Sequence, residues 1–139
     1  MKKIYILFAL LGFTLYSQAQ DKKNRAKFEA GEIVAAKEKM AFDDDYTPST
    51  EPYQATISGV ATGNEHPMKQ SDYVIKEGIA TVKVSDENGA IKKGDLITSS
   101  SKKGTGMKST QSGMVIGVAL EDAVSGAVKI RLMIQYVKQ

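Results

Sequence analysis

The chain has 139 residues, 42% of them hydrophobic and 25% charged, with no cysteine, no tryptophan and one histidine. That composition excludes a disulfide scaffold and a cysteine-based metal site. A formal net charge of +3, carried by scattered lysines with few aromatics between them, gives no nucleic-acid-binding face.

The first nineteen residues have the form of a secretory signal peptide. Lys2-Lys3 is a basic start, Ile4 to Tyr16 is apolar, and Ser17-Gln18-Ala19 supplies small residues at the cleavage-reading positions. The apolar run is short for a membrane span, and no later stretch is apolar enough to be one. The expectation is an exported protein, in the periplasm, at the cell surface or outside the cell, with no membrane span once residues 1–19 are removed. Removal takes Lys2 and Lys3 with it, so the net charge falls from +3 to +1.

Residues 20–30 read as a flexible segment with one basic cluster, Lys22 to Lys27, and Phe28 as its anchor on the body. Residues 31–139 read as a single β domain. Gly31 opens a strand over Glu32 to Ala36. Residues 43–52 carry Asp43, Asp44, Asp45, Pro48 and Pro52 and read as an exposed loop. A strand follows over Gln54 to Ala61, then a second long polar loop from Thr62 to Tyr73. Gly78 to Val84 alternates as a strand with one buried face. Asn88-Gly89 is a strong two-residue hairpin signal. Gly94-Asp95 then turns into Leu96-Ile97, a polar loop covers Ser99 to Gly106, and a short strand covers Met107 to Ser109. Met114 to Leu120 is apolar apart from Gly117, as in a strand buried on both faces. Ser125-Gly126 turns the chain into a last strand, Ala127 to Val137, with the clearest one-sided alternation.

These elements predict an all-β fold, a small barrel or sandwich of about eight short strands. They also repeat. Gly31-Glu32-Ile33-Val34 followed by Ile57-Ser58-Gly59-Val60-Ala61 matches Gly94-Asp95-Leu96-Ile97 followed by Val115-Ile116-Gly117-Val118-Ala119. The half-repeats fall at about 31–62 and 78–121, which suggests a duplicated half-barrel with Gly59 and Gly117 as matched bends. Gly31, Gly59, Asn88, Gly89, Gly94, Asp95 and Gly117 are therefore the expected structural residues.

The second half resembles a known pattern. Gly78 to Val84, Asn88-Gly89-Ala90-Ile91-Lys92-Lys93-Gly94-Asp95-Leu96-Ile97-Thr98-Ser99-Ser100, Gly106-Met107-Lys108 and Gly113 to Glu121 are similar to a β-rich module. That module closes many bacterial surface proteins and phage tail-fibre-like proteins. Phe28 to Val34 and Ile57 to Val60 extend the likeness into the first half. The resemblance implies a structural or binding role at the end of a longer fibrous chain. Some relatives belong to a self-cleaving phage-tail peptidase class, but no catalytic residue of that class maps onto a position here.

The remaining chemistry is sparse. His66, with Ser58 or Ser71, has none of the surroundings of a nucleophile elbow. Ser99-Ser100-Ser101 beside Lys102-Lys103 contains the residues of a Ser/Lys pair, which needs a buried lysine, but the run reads as a hydrated turn. Asp43, Asp44 and Asp45 with Glu51 offer carboxylates to calcium without the spacing of a calcium loop. Tyr46, Tyr53 and Tyr73 fall in or beside the two long loops and would form a stacking platform if clustered. No catalytic residue, metal ligand or cofactor is expected.

The leading expectation is a non-enzymatic exported structural or binding module that self-associates or binds a cell-envelope or fibre protein. Two alternatives stand beside it: a self-cleaving or hydrolytic domain using the Ser/Lys pair, and a carbohydrate-binding domain using Tyr46, Tyr53, Tyr73 and the acidic residues.

Overall fold

The computed structural model describes residues 28–37, 46–62 and 74–139. Among them there is no helix, and nine strands form two antiparallel sheets. In chain order the strands are β1 (Ile33–Ala36), β2 (Tyr46–Pro48), β3 (Ile57–Ala61), β4 (Val74–Ile75), β5 (Ile79–Lys83), β6 (Leu96–Ser99), β7 (Gly106–Lys108), β8 (Gly113–Ala119) and β9 (Ala127–Val137). The four-stranded sheet has the order β2-β1-β3-β4 and the five-stranded sheet β5-β9-β8-β6-β7.

The fold is the sandwich alternative, not the barrel. A single parallel bridge, Val84 with Gly106, draws the two outer strands of the larger sheet together at one end without closing it. The expected half-barrels are therefore one copy in each sheet.

The repeat itself is reproduced in the pairing. In the first copy Ile33 pairs with Val60 and Val34 with Gly59; in the second Leu96 pairs with Val118 and Ile97 with Gly117. Val34 also faces Pro48 on β2, as Ile97 faces Lys108 on β7. Val60 faces Ile75 on β4, as Val118 faces Arg131 on β9. The Gly-acid turns match bond for bond. Gly31 N donates to Ala61 O and Gly94 N to Ala119 O, both at 2.8 Å. The Glu32 carboxylate accepts from Glu29 N and the Asp95 carboxylate from Lys92 N. Gly31 and Gly94 have φ of +89° and +91°, a region that strongly favours glycine.

The paired glycines, expected as matched bends, also answer to a steric demand. Both lie in strands beside a shift of register. A Cβ on Gly59 would stand 2.5 Å from Ile75 O, and one on Gly117 would stand 2.2 Å from Arg131 O. Glycine is there because a neighbouring backbone passes too close for any side chain.

Alternation along the strands builds two apolar clusters. The main core lies between the sheets and joins Ile33, Ile57 and Val60 to Val82, Ile97, Ile116, Val128 and Ile130 among others. A smaller cluster of Phe28, Val34, Tyr46, Ala61 and Val74 takes up the neighbouring positions of the first sheet. Phe28 is the anchor its position suggested. Lys83 N donates to Gly31 O, and the Lys83 ammonium pairs with the Glu29 carboxylate, tying the start of β1 to β5. The hydrogen bond and charge of Lys83 hold the Glu29 carboxyl below the usual carboxylate range.

Two local expectations are corrected. Residues 46–48, read as part of a loop, form β2. It is an edge strand with Pro48 at the end of its register, a place where a missing N–H costs little. Asn88-Gly89 closes a β-turn, with Gly89 N donating to Asp86 O at 2.8 Å, but no hairpin, because β5 pairs with β9 and β6 with β7 and β8. The tight hairpin is at Ser125-Gly126. Both residues have positive φ, 52° and 73°, and Val124 and Ala127 exchange their backbone bonds.

Candidate binding groove

Three separate loops meet where β5 ends. Val84 N donates to Gly126 O and Ser85 N to Gly106 O, which fixes the strand end between the Ser125-Gly126 hairpin and β7. The chain turns at Asp86 to Gly89 and returns through Ile91, whose carbonyl accepts from Ala123 N at 3.1 Å. The Ser100 hydroxyl, bonded to Thr105 O, holds the loop that carries Lys102. Between these loops lies a groove of about 390 Å³ lined by Val84, Ser85, Asp86, Ala90, Ile91, Lys102, Ala123 and Gly126.

Its lining is mixed. Val84, Ala90, Ile91 and Ala123 give it apolar surface, and Asp86 and Lys102, both exposed, give it opposite charges. The Ser85 hydroxyl is buried and has no hydrogen-bond partner among the described residues. Buried hydroxyls are nearly always bonded, so this one, on a residue that lines the groove, is an unusual feature of the site.

Of these residues only Lys102 stood out for its chemistry in the sequence, as half of a Ser/Lys pair and not as part of a groove. They come from distant loops, and each is of an ordinary kind for a turn or strand end. The nearest local signal is Ser125-Gly126, which identifies one wall as a tight turn.

The other residues that stood out lie elsewhere. Tyr46 is 3% exposed within the smaller cluster, with the Lys76 ammonium 5.3 Å from its ring centre. Tyr53 packs its ring against Gly113, and its hydroxyl accepts hydrogen bonds from Thr110 N at 2.9 Å and Gln111 N at 3.2 Å. Tyr46 and Tyr53 thus sit in packing and bracing positions. Tyr73, Asp43, Asp44, Asp45, His66 and Ser71 lie outside the described residues. Ser58, the other serine considered beside His66, donates to Thr56 O at 2.9 Å. Among the described residues, no group of three or more His, Cys, Asp or Glu side chains is placed to hold a metal ion.

The serine-lysine run is built into the loop. Ser99 Oγ donates to Glu51 O at 2.7 Å and accepts from Gln54 N, so it joins the two copies. Ser100 Oγ bonds Thr105 O. Lys102 and Lys103 are exposed, whereas a serine-lysine pair needs a desolvated amine.

Burial pushes the Tyr53 phenol up, but the donors at Thr110, Ser109 and Gln111 together outweigh it and hold the group below the usual tyrosine value. A depressed value contributes stability that is present above the unfolded tyrosine value, about 10, and is lost as pH falls through the folded value. Phenolate absorbance during an alkaline titration therefore shows one tyrosine ionising ahead of the usual value, and Tyr53→Phe removes that step. Because Thr110 and Gln111 are exposed, their freed N–H groups find water, and the same substitution costs about 1 kcal/mol in chemical denaturation.

Fold and groove together define a two-sheet antiparallel β-sandwich, made of one strand unit used twice, with a single-sided mixed groove at the end of β5. Compared with known proteins, the chain matches no family model and no curated relative.

Proposed function

We propose that this chain is an exported, non-enzymatic β module that acts by binding protein partners, and that it self-associates. The observation that carries the reading is the groove at the end of β5, where apolar surface, two opposite charges and the unpartnered Ser85 hydroxyl converge. That mixture suits a short extended polypeptide: an apolar side chain against Val84, Ile91 and Ala123, with backbone polar groups reaching Ser85, Asp86 and Lys102. Binding is favoured over serine-lysine hydrolysis because Ser99 and Ser100 are committed to loop carbonyls and the lysines are hydrated. A peptide is favoured over a glycan because no aromatic ring lines the groove. The likeness of residues 78–121 to the end modules of surface and fibre proteins supports the same reading, as does the signal-peptide form of residues 1–19.

The test is selection of random peptides on the chain lacking residues 1–19, with Ala90→Arg as control. Ala90 is an exposed lining residue, so arginine there fills the groove without disturbing the core. Selected peptides lose at least about tenfold in affinity for the variant, a difference of about 1.4 kcal/mol. Equal affinity for both proteins contradicts the groove as the binding site. Release of a shorter chain on prolonged incubation, read by intact mass, favours hydrolysis instead.

A further inference from the structure

We infer that the outer half of β9, Met133 to Val137, is the self-association surface, and that it pairs antiparallel with the same segment of a second copy about a twofold axis centred on Gln135. This rests on the self-association in the function proposed above and names the surface that performs it.

The strands beside β9 differ in reach. β9 pairs with β8 from Ala119↔Ile130 out to Gly113↔Val137. On its other side β5 reaches only as far as Ile79↔Arg131, with one further bond from Leu132 N to Gly78 O. Among the described residues, Met133 to Val137 therefore has a strand on one side only. A row of open backbone donors and acceptors is a template for another strand.

The side chains agree with the backbone. Among the described residues, the exposed large hydrophobic ones are Ile79, Val124, Met133 and Tyr136, and two of the four fall in this five-residue segment. Met133-Ile134-Gln135-Tyr136-Val137 carries no charge and no proline, and charge and proline are two of the usual devices that protect an edge. Its neighbours Arg131 and Lys138 are basic.

The occupant follows from the register. Antiparallel pairing of the whole open segment with itself places Gln135 opposite Gln135, Met133 opposite Val137 and Ile134 opposite Tyr136. Arg131 and Leu132 keep β5 beside them, so the pairing stops at Met133 and sets no charged residue opposite another. The uncharged segment is complementary to itself, as a twofold interface requires. The two five-stranded sheets become one sheet across the pair.

Sedimentation velocity of the chain lacking residues 1–19, at micromolar concentration, tests this with Gln135→Lys and Gln135→Glu. Gln135 is exposed, and circular dichroism with thermal melting verifies that both variants fold. The proposal expects a wild-type dimer. Each variant alone is monomeric, because the axis sets like charges against each other. An equimolar mixture of the two restores a dimer, a result that general destabilisation does not produce. A wild-type monomer overturns both this surface and the self-association on which it rests. A wild-type dimer that persists in both variants overturns this surface alone, leaving self-association to another face. A wild-type trimer or larger ring overturns the twofold arrangement.

Discussion

Replacing Gly117 with alanine destabilises the protein by about 3 kcal/mol, measured as the shift in free energy of chemical unfolding. The new Cβ would lie 2.2 Å from Arg131 O and 3.0 Å from its carbonyl carbon, and both are backbone atoms. They belong to β9, which is held between β5 and β8 and cannot move aside without loosening two ladders. Gly59 is the same position in the first copy, and its Cβ would meet Ile75 O at 2.5 Å. There the obstructing strand, β4, is a two-residue edge that among the described residues pairs only with β3. It shifts more readily, so Gly59→Ala costs about 1–2 kcal/mol. The ordering of the two variants reports directly that one unit has been placed in two different surroundings.

Ile33→Ala costs about 3–4 kcal/mol, near the middle of the range for truncating a fully buried isoleucine. Ile33 has no exposed surface and belongs to the core cluster shared by both sheets. A Cβ added at Gly106 would stand 3.0 Å from Ile33 Cδ1 and 3.1 Å from Ile97 Cγ2, so side chains of the two copies come together over β7. Removing three carbons here weakens both sheets. Tyrosine fluorescence and far-ultraviolet circular dichroism report a single coincident transition at the lower midpoint. Two separated transitions would mean that the sheets unfold independently.

Much of this fold is legible in the sequence because it is written in local patterns. β5 and β9 alternate apolar and polar residues with period two, and their buried faces are the expected ones, Ala80 and Val82 on β5 and Val128, Ile130 and Leu132 on β9. The two Gly-acid turns and the paired glycines are recognisable as strings, and the pairing register places them at equivalent points. What escaped the sequence depends on partners. Whether strands close into a barrel or stack as two sheets is set by which strand lies beside which, and no single strand records that choice. β2 has the composition of a loop and pairs because it needs only one neighbour, β1. Asn88-Gly89 and Ser125-Gly126 both have turn chemistry, but only the second lies between segments that pair with each other.

The site was less legible than the fold. Tyrosine, serine and aspartate attract attention because of what they can do. Tyr46 is in a core cluster, and the hydroxyls of Tyr53, Ser99 and Ser100 are used for holding loops together. The groove is assembled from a strand end, two turns and a loop, using valine, alanine, isoleucine, glycine, one serine, one aspartate and one lysine. Its only unusual feature, an unpartnered hydroxyl, exists in three dimensions and has no trace in the string of residues.

The account rests on this groove being where a partner polypeptide binds. The most direct measurement is a chemical-shift map of the isotope-labelled chain lacking residues 1–19, titrated with a peptide selected on it. The account predicts that the amides of Val84, Ser85, Asp86, Ile91, Ala123 and Gly126 shift together and saturate with one dissociation constant. Saturating shifts confined to other faces, with these six amides unmoved, would contradict it.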